Sequence, residues 1–437
     1  MLTAALQAEV AAYIEAHAGQ LDENGHRLVV RNGYHAGREV MTVAGVVPVR
    51  APRVKRQARR RGHRRVLRDR LGRASSRHRC CERDGAVLAQ RRISDDVAGF
   101  TRLTEILCAH ADDPTSVDVA LETDRGLLVA ALRAAGYRVF AINPKAVDRY
   151  RDRYAVSGAK SDPVDALVLA NLLRTDRDRH RPMPNDSVEV EAIAVLARAH
   201  QDAVRTGQRD ANRLRSLLRE FFPAAVAAFP RLSTRSALTI LATAPTPPAA
   251  RALTPEQIRG LLRSAGRVGV RTSEVDRLHR AFIAEQLHQP PAVEDAMGEA
   301  VRSIVTTLTA TQTAIGDLET ALAERFDNHP DAEILRSLPG LGVVLGGRVL
   351  GEFGDDPTRF TDAASRRRYA GTAPVTRASG RSRVVLLRRA RNQRLAEACR
   401  WWAFNAMQHS DGTMAYYRRR RAAGDTQVRF GVVVPLS

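Results

Sequence analysis

Cysteine is scarce in this chain. The four residues Cys80, Cys81, Cys108 and Cys399 show neither a disulfide framework nor zinc-ligand spacing, which suits a reducing cytoplasm. Long apolar runs are missing too. No stretch is apolar enough to span a bilayer, and Met1 to Gln20 reads as an amphipathic helix carrying acids, not a signal peptide. No membrane partner is expected. Acidic residues are in short supply, with 48 Asp and Glu against 69 Lys and Arg, a formal charge of +21. That excess argues against an ordinary metabolic enzyme and points to a polyphosphate partner, DNA or RNA. A merely solvated arginine-rich surface is the plain alternative.

With 437 residues, 44% of them hydrophobic, the chain can hold two or three domains with their own cores. Residues 1–56 give a helix and then short alternating strands in "HRLVVRNG" and "REVMTVAGVVPVRAPRV", joined at Asn32-Gly33 and Gly45. Residues 57–83 are dense in arginine, show neither period, and read as a basic linker. An α/β block spans 84–185. Its strands are "GAVLAQRRI", "SVDVALE" and "YRVFAIN", and its helices lie near 96–110, 124–135, 145–151 and 163–174. Residues 186–330 hold two long helices, about 187–221 and 295–326, which form either a dimerising coiled-coil arm or a buried pair. The last block, 331–437, reads as helical.

Several short stretches can carry chemistry. In "AKSDPVDALVLANLL", Asp162 and Asp165 stand at the start of an apolar helix, where capping and the helix dipole suffice to explain both. Glu122 ends the apolar run "VDVALE", at the strand edge where ligands of α/β sheets gather. Three carboxylates of this kind also suit Mg²⁺ and phosphoryl transfer. "LPGLG" has the form of a helix-hairpin-helix turn: Gly340 and Gly342 would let the backbone approach a phosphate, unless the turn is simply tight. Ser379, in "TRASGRSR", lies on a loop among Arg377, Arg381 and Arg383, guanidiniums suited to the charge that develops when a serine attacks a phosphodiester. A purely structural serine is the common alternative.

The stretches "VALETDRGLLVAALRAAGYRVFAINPKAVDRYR", "SGAKSDPVDALVLANLLRTDR" and "RRYAGTAPVTRASGRS" resemble the IS110-type DEDD transposases of bacterial insertion sequences, over about 84–427. The resemblance implies an α/β plus α fold. Its parts are a RuvC-like, RNase H-type domain, a coiled coil, and a helical C-terminal transposase domain with a helix-hairpin-helix-like motif. It further implies DNA recombination with Mg²⁺ on Glu122, Asp162 and Asp165, a nucleophilic Ser379, and nucleic-acid contacts from Lys160, Gly340, Gly342, Arg377, Arg381 and Arg383. The implied partners are element-end and target DNA, a structured noncoding bridge RNA, and a second copy of the chain. The implied location is the nucleoid of a bacterial cytoplasm.

The chain departs from that pattern at its front. The family's opening strand, Gly-Ile-Asp-Trp-Ala, carries the first of four acids, and the residues before Asp84 do not spell it. One codon choice for Arg68 to Arg83, read one base later, does spell that opening and continues as Glu-His-His-His-Asp-Ile-Ala-Ala-Val-Asn. The lost aspartate codon then straddles Arg70 and Leu71. A frameshift is therefore expected, with the RNase H-type domain's first strands lost, 57–80 irregular, and activity impaired. "LDENGHRLVVRNGYHAGREVMTVAGVVPVRAPRV" resembles the N-terminal region of Mutator-type transposases, as if two remnants were fused. After "YYRRRRAAGDTQ" the family continues into another helix that is not spelled here. The alternative is a non-catalytic DNA- or RNA-binding remnant.

Overall fold

The computed structural model describes residues 87–94, 96–151, 162–380 and 382–424, with the side chains of 162–165 excepted. It also gives the backbone of six strands before residue 82 and short helical pieces at 11–12 and 15–16. Two compact units divide the chain, 1–183 and 184–437.

In the first unit, β1 (Val29–Tyr34) pairs antiparallel with β4 (Pro52–Arg56), and β2 (Arg38–Thr42) pairs with β3 (Gly45–Val49). Gly45 opens β3 just after the β2–β3 connection, as its position suggests. Asn32-Gly33 instead falls inside β1, where the register shifts between Arg31 and Tyr34. A glycine within a strand marks a bulge as readily as a turn. The expected helix at the front lies almost wholly outside the described residues.

A five-stranded sheet follows, in the order β7–β6–β5–β8–β9. Its strands are β5 (Arg65–Asp69), β6 (Ser75–Cys81), β7 (Val87–Ser94), β8 (Val117–Leu121) and β9 (Arg138–Ala141). The first three form an antiparallel meander, and β5, β8 and β9 run parallel. This corrects the expected loss of the first strands, because β5 occupies the centre of the sheet and β6 pairs along its length. The reason is the demand of β8. All five of its residues are buried, so its backbone donors and acceptors need a strand on each side. Ladder hydrogen bonds ask nothing of side-chain pattern, so an arginine-rich segment can supply them.

Four helices cover this sheet: α1 (Val97–His110), α2 (Leu127–Ala134), α3 (Pro144–Arg151) and α4 (Asp162–Thr175). Alternation divides β8 between two cores. Val117, Val119 and Leu121 pack with Leu103, Leu107, Val129 and Leu132 of α1 and α2. Ala120 packs with Val168, Leu169, Leu172 and Leu173 of α4.

The second unit is built on α5 (Val188–Phe221) and α11 (Pro291–Asp327). Val190, Ile193 and Ala197 at the start of α5 share a core with Leu322 and Phe326 at the end of α11. Leu214, Leu218 and Phe221 share another with Val301, Ile304 and Leu308. The two helices are therefore antiparallel partners within one chain. Between them in sequence come α6 (Pro223–Ala228), α7 (Arg235–Thr243), α8 (Pro247–Arg251), α9 (Pro255–Ser264) and α10 (Thr272–Ile283). These close the core around Phe222, Phe229 and Phe282.

The C-terminal part holds α12 (Ala332–Ser337), α13 (Val343–Phe353), α14 (Ala363–Ala370), the hairpin β10 (Val375–Ser379) and β11 (Ser382–Leu386), α15 (Gln393–His409) and α16 (Asp411–Ala422). The hairpin departs from the helical reading of this block: Ser379 ends a strand paired with Ser382, and is not on a free loop. Gly380, at φ +56°, suits the tight turn. A polar network around the buried Glu352 ties α5 to this part. Arg198 donates to both oxygens of Glu352 at 2.7 and 3.0 Å, Asn392 Nδ2 donates to Glu352 Oε2 at 2.7 Å, and Arg394 reaches Asp202 at 2.8 Å.

Candidate catalytic residues and nucleic-acid surfaces

Glu122 follows the last residue of β8 and is half-buried. In the alternation of that strand it continues the phase of Asp118 and Ala120, the side that α4 covers. The direction of α4 can be read from its far end. Arg177, two residues past the helix, donates to Asp118 Oδ2 at 2.7 Å near the start of β8. The end of α4 therefore lies near the start of β8, and Glu122 continues the strand phase of the face that the helix covers. The side chains of Asp162 and Asp165, and Lys160 as a whole, lie outside the described residues. Among the described side chains, no three carboxylates, imidazoles or thiols stand together as a metal site.

Asp69 ends β5, opposite Leu121 in the parallel ladder. Register partners share a phase, so position 69 has the phase of Leu121, on the side of α1 and α2. The phase of Glu122 falls one residue further on, at Arg70, which lies outside the described residues.

Asp118 was missed altogether. It is 1% exposed and paired with Arg138 of β9 as well as Arg177. A buried carboxylate with two guanidiniums is strongly held, but it sits at the opposite end of β8 from Glu122. Its part is to anchor the return from α4. The signal was there in principle, since an acid inside an apolar strand must find a cation.

In the second unit Ser379, Arg377 and Arg383 are all exposed on the hairpin, and Arg381 lies outside the described residues. Arg377 and Ser379 alternate onto one face with Val384, and Arg383 takes the other. The two glycines of the α12–α13 turn part company. Gly340 has φ +75°, and a Cβ there would stand 2.5 Å from the Ala406 backbone nitrogen of α15. Its close approach is to its own chain, whereas Gly342 caps α13 with open space around it. Gly340 is therefore a packing residue, and of the two only Gly342 has open space beside it.

A transposase family model matches residues 72–223, and the model described as the transposase IS116/IS110/IS902 family matches residues 332–418. The chain is 52% identical, over 346 residues, to the mini-circle putative transposase for IS117 of Streptomyces coelicolor, covering 78% of this chain and 84% of that one. It is 30% identical over 351 residues to an uncharacterized 42 kDa protein of insertion element IS900 from Mycobacterium paratuberculosis, covering 78% and 85%. It is also 30% identical over 322 residues to an uncharacterized 43.6 kDa protein of insertion element IS110 from S. coelicolor, covering 73% and 76%. The chain belongs to the IS110 family of transposases.

Two features of the transposase follow from the family bounds. The first match opens at residue 72, so β5 and the β1–β4 pairs precede it, whereas Glu122, Asp162 and Asp165 lie within it. Ser379 and both turn glycines lie inside the second match. Among the described residues, no helix of the transposase is long and apolar enough to cross a membrane.

Proposed function

We propose that this transposase descends from a DNA recombinase that cuts and rejoins the ends of an insertion sequence, and that the chain as written is impaired at its first acid. The observation that carries the reading is Glu122 at the C-terminal end of β8, in the phase of the face that α4 covers, on a chain of +21 charge. A mixed sheet with an antiparallel meander on one side and two parallel, helix-linked strands on the other supports an RNase H-type, RuvC-like domain.

The donors are all carboxylates, which fits a hard divalent ion such as Mg²⁺. Glu122, Asp162 and Asp165 would hold it, and when bound it would supply Lewis-acid polarisation at the scissile phosphate. The chain's own groups do the rest. Ser379 is the nucleophile, carried at the end of β10 where DNA can reach it. Arg377 and Arg383 oppose the charge of the phosphate, Arg381 and Lys160 supply further positive charge for nucleic acid, and Gly342 offers backbone donors. In this reading the partners are element-end and target DNA with a structured bridge RNA, and two copies act together. The working place is the bacterial nucleoid.

Impairment is supported by register. Position 69 has the phase of Leu121, and the frameshift reading independently puts the lost aspartate at position 70 to 71, where the phase of Glu122 falls. The Mutator-like stretch lies before residue 72, where the family match opens. The test is an excision assay with the element's ends, its RNA and Mg²⁺. The chain as written should give little or no product, and the frame-restored chain should give product that Glu122→Gln abolishes. A frame-restored chain that binds DNA without cutting would favour the non-catalytic remnant. Recombination that survives Glu122→Gln would end the acidic-site reading.

A further inference from the structure

The two tryptophans of this chain, Trp401 and Trp402, are neighbours, and α15 turns them opposite ways. Trp402 is buried and its indole Nε1 donates to the Pro339 carbonyl at 3.0 Å. Leu395, Ala398 and Ala406 are buried on the same helix, so its rotation about its axis is fixed. Trp401 is thereby held outward at 49% exposure, and Phe404, one turn on, at 41%. Their rings meet edge to face, with centroids 6.1 Å apart and planes at 89°. Two exposed aromatic rings in contact form a contiguous apolar patch, the kind of surface that can take a partner.

Charge identifies the partner. Arg400 is exposed beside Trp401, and α16, which buries none of its residues, carries Arg418 to Arg421. Between 388 and 424 nine arginines face two acids, Glu397 and Asp411, and Glu397 is already paired with Arg205. Aromatic faces among guanidiniums suit nucleic acid. Bases in a duplex stack on each other and cannot offer a face to a helix surface, whereas an unpaired base can. We propose that Trp401 and Phe404 form a notch that stacks one unpaired base of a single-stranded segment, with Arg400 against its phosphate. A base lying flat on Trp401 meets Phe404 at its edge, which limits the notch to one base. The inference rests on nucleic acid being the partner of this chain.

Tryptophan emission of the full chain tests it directly, because Trp402 is the only other emitter and is buried. A single-stranded oligothymidylate should quench the Trp401 share, and a duplex of equal length should quench far less. The Trp401→Ala, Phe404→Ala double variant should bind the single strand about tenfold or more weaker. Its salt dependence should be unchanged, since that counts phosphate contacts, whereas Arg400→Ala should lower the salt slope by about 0.7. Duplex affinity of the double variant should match the parent, with Trp402 emission reporting an intact fold. Equal quenching by duplex, or undiminished single-strand affinity in the double variant, would overturn the notch. Emission that shifts with protein concentration alone would give the face to a second copy and also overturn it. Failure of the parent chain to bind either nucleic acid would instead sink the nucleic-acid reading beneath it.

Discussion

Asp69 and Leu121 close neighbouring parallel strands as register partners, so position 69 falls one residue short of the register of Glu122. This offset makes a prediction opposite to a simple acid census. Arg70→Asp should raise Mg²⁺-dependent cleavage of labelled element ends by about a thousandfold, the scale of one lost ligand or charge-stabilising group. Asp69→Asn should leave the residual rate as it is. If Asp69→Asn kills a measurable activity, Asp69 itself serves the site and the offset argument is wrong.

The helices and later strands were legible because their period was strong. The helix expected at 187–221 is α5, that at 295–326 lies within α11, and "SVDVALE" contains β8. Glu122 could be placed at a strand's end and Asp165 in a helix's first turn because both features are written locally. What could not be read was set by partners distant in the chain. β5 owes its ladder to β8 and β6, and β6 to β5 and β7, not to any apolar alternation of their own. The hairpin around Ser379 has ten residues with almost no buried side chain, so no hydrophobic period announced it. Gly340 looked like a phosphate contact because the glycine pattern does not say whether phosphate or α15 fills the space.

Ser379→Ala should abolish strand exchange in any active form of the chain, including the frame-restored one. DNA affinity should be unchanged, since binding rests on many arginines and not on one hydroxyl. Ser379→Cys should keep part of the activity, because a thiol is also a nucleophile. Gel-resolved excision products with parallel binding measurements check this. Full exchange by the alanine variant would remove Ser379 from the chemistry.

Gly340→Ala should destabilise the second unit by about 2–4 kcal/mol, from strain at φ +75° and a Cβ driven into the α15 backbone. Gly342→Ala meets open space and should cost no more than about 1 kcal/mol, the loss of a favoured N-cap residue. Denaturant unfolding of the two variants compares them. Glu352→Ala supplies a larger reference loss of about 3–5 kcal/mol, because it strands the Arg198 guanidinium in a largely buried setting. Equal stability of both glycine variants would contradict the packing role assigned to Gly340.

The pH response of the second unit should centre on His200. Its ring is 2% exposed, with Nε2 3.0 Å from Glu319 Oε1 and Nδ1 3.1 Å from an Arg348 nitrogen. An arginine can only donate, so Nδ1 accepts and Nε2 donates, which defines a neutral ring. Burial first, and Arg348 second, hold its pKa below the ordinary 6.5, outweighing the raising effect of Glu319. Glu397 and Arg205 also act on Arg348, with opposite signs. In the unfolded chain His200 takes a proton near its ordinary pKa, and in the fold it resists. Stability is therefore unaffected by His200 well above pH 6.5 and falls as pH drops through that value toward the lower, folded pKa. Asp202 and Asp356 have pKa values below the usual carboxylate value of 3.8, so the stability they contribute is lost only in a more acidic window. Guanidinium unfolding at about pH 7.5 and about pH 5.5, either side of the ordinary histidine value, should show a lower midpoint at the acidic end. His200→Gln, which keeps a donor and an acceptor but cannot ionise, should shrink that difference. A pH difference identical in the two proteins would mean that the acid sensitivity arises from other groups.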